Sequence, residues 1–490
     1  MTNPETVTIS KAEYLQLKDM ADRCQLLEYE VKELKRLMFG AKSERFITHD
    51  ASQLSLFSLE ATSDIPPQQE QISYTRTKSS KEKKHPLRGE LPAHLPRVDQ
   101  VVEPENIPQN AKKIGEVITE LLEYDPAKMY VKRYIRPKYI VASNDERTAI
   151  VIAQLPSLPI PKANAASSML AHITVSKMVD HLPFYRQAKM FKRMGLEIPE
   201  STIGGWFNAM CKLLEPLYNT LKQQILATDY LMADETPIPV LTKDKPGSTH
   251  KGYHWVYYGP VERLVLFDYR KSRAREGPDA MLENYNGYLQ TDGYAAYNNL
   301  KNQSKITLLA CMAHARRKFE HARDNHPRLA EQALALFQQL YAIERKAREE
   351  SLSFQQIGNL RLQESVPVLN TLKQWMDDNL IANPPQNLIS KAIAYTLTLW
   401  PRLVKYVENG KFQIDNNLIE NSIRPLAIGR KNYLFAGSHD AAQNAAIIYS
   451  LLGTCKINET EPYQWLKNTL DRIPDHPQEK LHELLPFKQS

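Results

Sequence analysis

The stretch Tyr230 to Leu241, YLMADETPIPVL, decides how the rest of the chain is read. Its apolar opening predicts a buried strand, yet Asp234 and Glu235 stand in the middle of it. Ionised carboxylates in such a place are costly unless a positive charge meets them. Two more runs rich in β-formers follow, GYHWVYYGP (252–260) and RLVLFDYR (263–270), separated by turn residues, so the region predicts an antiparallel meander.

Further on come a helix-like segment, GPDAMLENYN (277–286), and a short strand in GYLQTDGYAAYN with Asp292 at its end. A strand, ITLLACMAH (306–314), then runs into a basic helix, ARRKFEHAR. This element order is that of a ribonuclease-H-like fold, an α/β class in which the first and fourth strands are neighbours. Asp234 and Asp292 are then expected to converge. Two close carboxylates do not both ionise cheaply without a cation between them, and magnesium or manganese suits carboxylate oxygens. The plainer alternatives are a strand-end acid at Asp234 and an Asp-Gly turn at Asp292.

A third candidate lies in IDNNLIENSIRPLAIGRKNYLFAG (414–437). Glu420 and Arg424 are one helical turn apart, with Ile419, Ile423 and Leu426 as the apolar stripe. Glu420 would be a third metal ligand and Arg424 its steadying partner or a phosphate contact; a surface ion pair has the same spacing. Asp415 is the alternative third acid. Arg430 and Lys431 precede Tyr433 and Phe435, which suits a nucleic-acid end or, equally, a core strand with a basic start.

Upstream, FYRQAKMFKRMGLEIPESTIGGWFNAM (184–210) predicts a basic helix stopped at Gly195, a turn with Pro199, and a second helix capped by Ser201 or Thr202. That is the outline of a helix-turn-helix, or of two packed helices. In the first reading Arg186, Lys189, Lys192 and Arg193 contact phosphates, and Thr202 and Asn208 read bases. Runs from 117 to 124 and 129 to 141, broken at Asp125-Pro126, predict a β-hairpin carrying Lys132, Arg133, Arg136 and Lys138. Leu17, Met20, Cys24, Leu27, Val31, Leu34 and Met38 have the spacing of a short coiled-coil seam, which predicts a homodimer, or of an amphipathic helix lying on its own domain.

These readings divide the chain into a coiled-coil helix (1–45), a basic linker (46–90), the hairpin domain (91–153) and a helical DNA-binding domain (154–222). The catalytic core follows in two parts (223–324 and 411–457), around a helical insertion (325–410) and before a helical tail (458–490). The 490 residues, 42% hydrophobic and 24% charged, suffice for several cores. A net charge of +7 is too small to argue for a polyanionic partner by itself. The longest near-apolar run, Ala445 to Cys455, is too short to cross a bilayer, and the amino terminus has no signal-peptide pattern, which predicts a soluble, cytoplasmic chain without a membrane partner. The four cysteines have neither C-x-x-C spacing nor the density of a disulfide scaffold.

The segments ADETP, TDGYAAYN, CMAHARRKF, NNLIENSIRPLAIGRKNYLFAGS and LKRLMFGAKSERF together resemble the bacterial DDE transposases of the insertion-sequence-66 family, over nearly the whole chain. The resemblance implies that Asp234, Asp292 and Glu420 are the acidic triad of the ribonuclease-H-like core. It further implies two magnesium or manganese ions, cleavage of the element's ends in double-stranded DNA, strand transfer into target DNA, and possible accessory proteins of the same element. A nuclease or resolvase on this fold, or a cleavage-inactive DNA-binding regulator, are the alternatives. The family's zinc-binding cysteines are missing from 91–153, so the expectation is a degenerate zinc ribbon without zinc. Cys311 and His314 match a C-x-x-H pattern of related transposase groups, but two ligands are too few for zinc.

Overall fold

The computed structural model describes Lys18, Met20, Arg23, residues 129–136, the backbone of 138–142 and 148–152, and residues 154–487 except 243–246, 299 and 301–304. The coiled-coil seam and the linker therefore lie outside the described residues, apart from Lys18, Met20 and Arg23, which are helical and exposed. The chain divides into a unit of residues 43–155 and a larger one of 1–42 and 156–490.

In the smaller unit, β1 (Lys138–Ala142) pairs antiparallel with β2 (Thr148–Ile152), with Lys138 opposite Ile152. This corrects the start of the expected hairpin's second strand, which was to run from Met129, whereas its first strand (117–124) and the turn at Asp125-Pro126 lie outside the described residues. Residues 129–136 are exposed and take no regular structure, so Lys132, Arg133 and Arg136 lie off the strands. The physical reason is the β-branched pattern: YIVA and TAIVI offer denser strand formers than the charge-interrupted run before Pro137.

The larger unit begins with α1 (Ser167–Met178), α2 (Phe184–Arg193) and the long α3 (Glu200–Leu226). Gly195, at φ +81°, turns the chain after α2 as its position suggested. The cap of α3 differs from expectation. Pro199 holds the N-cap position without a side-chain hydrogen bond, and the helix starts at Glu200, ahead of Ser201 and Thr202.

A five-stranded sheet follows: β3 (Tyr230–Leu241), β4 (Thr249–Gly259), β5 (Leu264–Arg270), β6 (Gly287–Thr291) and β7 (Ile306–Ala310), in spatial order β5-β4-β3-β6-β7. The first three are antiparallel, which short turns allow. β6 lies parallel to β3 and β7 parallel to β6, each after a longer crossover, the first through α4 (Glu276–Met281). The chain is thus mixed α/β. Edge strand β5 is sealed by a helix, α11 (His439–Ile457): Ser450 Oγ accepts the Phe267 N–H at 2.8 Å and Thr454 Oγ1 the Val265 N–H at 3.3 Å.

After β7 the chain is helical through α5 (Met312–Ala322), α6 (Pro327–Glu349), α7 (Phe354–Leu360), a π turn (Arg361–Ser365), α8 (Val366–Ala382) and α9 (Leu388–Leu403). β7 stops at Ala310, so His314 lies in a helix, not on the expected strand running to 314. The chain returns to the sheet with α10 (Asn417–Tyr433), then α11 and α12 (Pro462–Arg472). No helix of the described residues is long and apolar enough to cross a membrane.

Candidate active site

Pairing register relates the first two acids. Met232 on β3 stands opposite Gln290 on β6, and Asp234 and Asp292 each follow that pair by two residues. Both lie just past the carboxyl end of the parallel-paired stretch, the edge where α/β sheets open a crevice. Asp234 Oδ1 accepts the Glu235 N–H at 2.8 Å, and Asp292 Oδ1 accepts the Tyr294 N–H at 2.7 Å. Gly293, at φ +91°, completes the turn after Asp292. The Asp-Gly turn is present at Asp292, and one of its carboxylate oxygens closes it.

Glu420 arrives from α10, where Ile419, Ile423 and Leu426 are buried as the stripe predicts and Glu420 falls in the first turn. Its charge is felt at β3. Burial first, then the Glu235 charge, push the Asp234 carboxyl up to about 8 against the downward pull of the Glu235 N–H, and Asp292 and Glu420 add lesser upward contributions. Asp415, the rival third acid, faces elsewhere. It is buried, its Oδ1 accepts the Asn417 N–H at 3.0 Å, and its charged neighbours Arg348 and Glu344 belong to α6.

Glu235 explains the second acid of the opening stretch. Its side chain, 2% exposed, accepts Arg273 Nε at 2.7 Å, and Arg273 lies 4.0 Å over the ring of Tyr294. Burial raises the Glu235 carboxyl and Arg273 opposes the rise. The network ties β3 to the turn that carries Asp292, while Tyr395 of α9 donates to the Asp292 carbonyl at 3.1 Å. Glu235 was visible in the sequence beside Asp234; Arg273 and Tyr395 carried no signal there, because nothing local marks which distant side chains meet.

His314 sits on the first turn of α5, with Nδ1 buried and unpartnered among the described residues. Burial and Arg317 lower its pKa, and Asp292 and Glu420 pull it upward, which places His314 in the field of both acids. Cys311 plays a different part: its buried sulfur accepts the Asn416 N–H at 3.2 Å, docking the start of α10 against the end of β7. Among the described residues no three His, Cys, Asp or Glu side chains form a ready-made metal group. The acids share one electrostatic field without closing into a cage.

Arg424 and Lys431 are exposed on α10. Arg430 is engaged by the fold, its Nη1 donating to Thr236 Oγ1 at 2.8 Å and to the Pro237 carbonyl at 2.6 Å. Tyr433 is half-buried against Tyr449, whereas Phe435 is exposed. On α2, Arg186, Lys189, Lys192 and Arg193 are all exposed, with Lys192 3.1 Å from Glu197. On α3, Thr202 is partly buried, and Asn208 accepts a hydrogen bond from Asn444 of α11 at 3.0 Å.

Fold and site together define a mixed α/β protein with acids on the central strand β3, just past the end of its parallel neighbour β6, and on α10. Residues 162–444 match the family described as Transposase IS66 family, 450–487 the IS66 C-terminal element, and 26–99 the Transposase C of IS166 homeodomain. The chain belongs to the IS66 family of transposases. Relatives in Sinorhizobium fredii (strain NBRC 101917 / NGR234) include the protein y4jD, 33% identical with 91% of both chains covered. The protein y4qI is 30% identical, covering 93% of this chain and 87% of its own, and y4hP is 28% identical, covering 94% and 88%.

Proposed function

We propose that this chain binds the ends of its insertion sequence, cuts them and joins them to target DNA, by metal-dependent phosphoryl transfer on a ribonuclease-H-like core with Asp234, Asp292 and Glu420 as its acids. The observation that carries the reading is geometric: β3 and β6 pair in parallel two residues before Asp234 and Asp292, and α10 carries Glu420 in its first turn, close enough for its charge to act on Asp234. A fold gains nothing from concentrating like charges, so the cluster is accounted for by a cation that neutralises it.

The donor set fits a hard divalent ion, because all three side chains offer carboxylate oxygens. Magnesium or manganese bound there would supply charge neutralisation and a water activated for attack on phosphorus. The chain's own part is to aim the ligands. The Glu235 and Tyr294 N–H groups fix one oxygen each of Asp234 and Asp292, and the buried stripe of α10 fixes the direction of Glu420. Arg424, exposed one turn past Glu420, is placed to meet a backbone phosphate, with Lys431 two turns beyond it. The basic face of α2 supplies further phosphate contacts, and a pair of chains joined through the amino-terminal seam holds two ends together.

The test is cleavage and joining of duplexes carrying the element's own termini. Wild-type protein should nick at the element boundary with magnesium and not with EDTA, then join the freed end to a second duplex. Binding without cleavage under every metal condition sinks the proposal and leaves a DNA-binding regulator. Cleavage without joining leaves a nuclease.

A further inference from the structure

We propose that Arg361 is a positioning residue for Glu420, acting through the backbone that leads into α10, and that the helices between β7 and α10 serve to hold that lead-in. The inference rests on Glu420 being the third acid of the site. Arg361 is 2% exposed and begins the π turn between α7 and α8, a helix irregularity often retained where geometry matters. Every N–H of its guanidinium is spent. Nε and Nη2 grip both oxygens of Glu344 on α6, at 2.8 and 2.7 Å, and the remaining bonds reach the carbonyls of Tyr406 (2.9 Å), Asn409 (3.0 Å) and Phe412 (2.9 Å).

Those three carbonyls belong to the passage from α9 to α10, a 3-10 turn (Val404–Glu408) followed by irregular chain, not to the helices that carry Arg361. A buried ion pair contributes little net stability over an apolar substitute, so what this one provides is geometry. The passage is pressed close: a Cβ on Gly410 would lie 1.9 Å from the Phe354 carbonyl oxygen, which ties it to the start of α7 as well. From there the hold passes forward residue by residue. The Phe412 ring packs on Tyr288 and Tyr230, at 4.6 and 5.0 Å between centroids, and the Gln413 N–H donates to the Tyr230 hydroxyl at 2.9 Å. Met312 N–H donates to the Ile414 carbonyl at 3.0 Å, Asn416 N–H to Cys311 Sγ at 3.2 Å, and Glu420 N–H to the Asn416 carbonyl at 3.1 Å. Glu420 thus stands at the end of a continuous backbone brace that starts at Arg361. It also gives Cys311 a task in the site without any metal.

The experiment uses the full chain with Arg361→Lys, Glu344→Gln and, as reference, Glu420→Ala. Lysine keeps the charge but cannot supply five directed donors. In Arg361→Lys the amides of Gln413 and Asn416 should exchange with solvent deuterium at least about tenfold faster while those of β4 keep their protection. Mn2+ affinity by calorimetry should fall about tenfold, and cleavage of an element-end duplex about a hundredfold with end binding within about threefold, as for ligand-supporting residues elsewhere. If Arg361→Lys loses β4 protection, Glu344→Gln is read by the same criteria. Unchanged amide exchange and Mn2+ affinity in a variant with β4 intact overturn the positioning role. Wild-type Mn2+ binding and cleavage by Glu420→Ala overturn the assignment of Glu420, and the proposal with it; loss in Glu420→Ala but not in Arg361→Lys overturns the positioning role alone.

Discussion

The acids around β3 and the α2–α3 helix pair differ in how the fold treats their charges. Around β3 the fold keeps partly buried acids within one another's field, and one oxygen of each aspartate accepts a nearby backbone N–H. On α2, Arg186, Lys189 and Arg193 stand in solvent, where a charge costs almost nothing to keep. Charge that is expensive to maintain therefore marks a site, whereas cheap charge is equally compatible with solubility. Lys177 of α1 lies 4.1 Å over Phe184 of α2 and 5.3 Å over Tyr433 at the end of α10, far along that helix from Glu420, and burial lowers its pKa to about 8.

If that contrast holds, substitutions in the two regions separate catalysis from binding. Asp234→Ala and Asp292→Ala should each lower single-turnover cleavage by roughly a thousandfold, about 4 kcal/mol of transition-state stabilisation, with end binding within about threefold. Equal losses of binding and cleavage in both would erase the distinction.

A smaller effect tests how dry the sheet is beneath the acids. His254 of β4 is fully buried with both ring nitrogens unpartnered among the described residues, and burial, aided by Arg430, holds its pKa at about 3. Because the folded value lies below the unfolded 6.5, the folded state binds fewer protons, so stability is full above pH 6.5 and declines as pH falls toward 3. Urea titrations at pH 6.5 and 5 should show wild type losing roughly 1–2 kcal/mol more than His254→Leu. Parallel declines would place solvent in the core.

On the helix pair the expected changes are smaller again. Neutralising Arg186 or Lys189 should weaken binding to specific and scrambled duplexes alike and reduce the salt slope by about one unit. The smallest effect belongs to Asn208. Since it is held by Asn444 of α11, Asn208→Ala should leave the preference for element ends within about twofold. A large loss of preference in titrations against both duplexes would mean that Asn208 leaves Asn444 when DNA binds.

The order of strands and the turn at Asp292 were legible because alternating apolar residues and a TDG sequence are local signals, and the apolar stripe of α10 was legible for the same reason. The strand expected from Met129 starts later, at Lys138, because charge along 129–136 was read as one face of a strand, when β-branched density lay just beyond it. Arg430 shows the other limit. Its neighbours Lys431 and Phe435 are exposed as a DNA-facing group would be, yet its own guanidinium braces β3, a contact between residues nearly two hundred positions apart that no local pattern encodes. Arg361 and Glu344 were illegible for that reason too: each reads as an ordinary helix charge until the passage to α10 is in place.

The account turns on which acid of the α10 region completes the site, and paired single-turnover cleavage by Glu420→Ala and Asp415→Ala decides it. Glu420 raises Asp234 across the site, whereas Asp415 is turned to Asn417 and α6. Glu420→Ala should cut roughly a thousandfold more slowly with end binding retained, and Asp415→Ala should stay within about tenfold of wild type at a temperature where it is folded. Near-normal cleavage by Glu420→Ala, with loss in Asp415→Ala, would contradict the account.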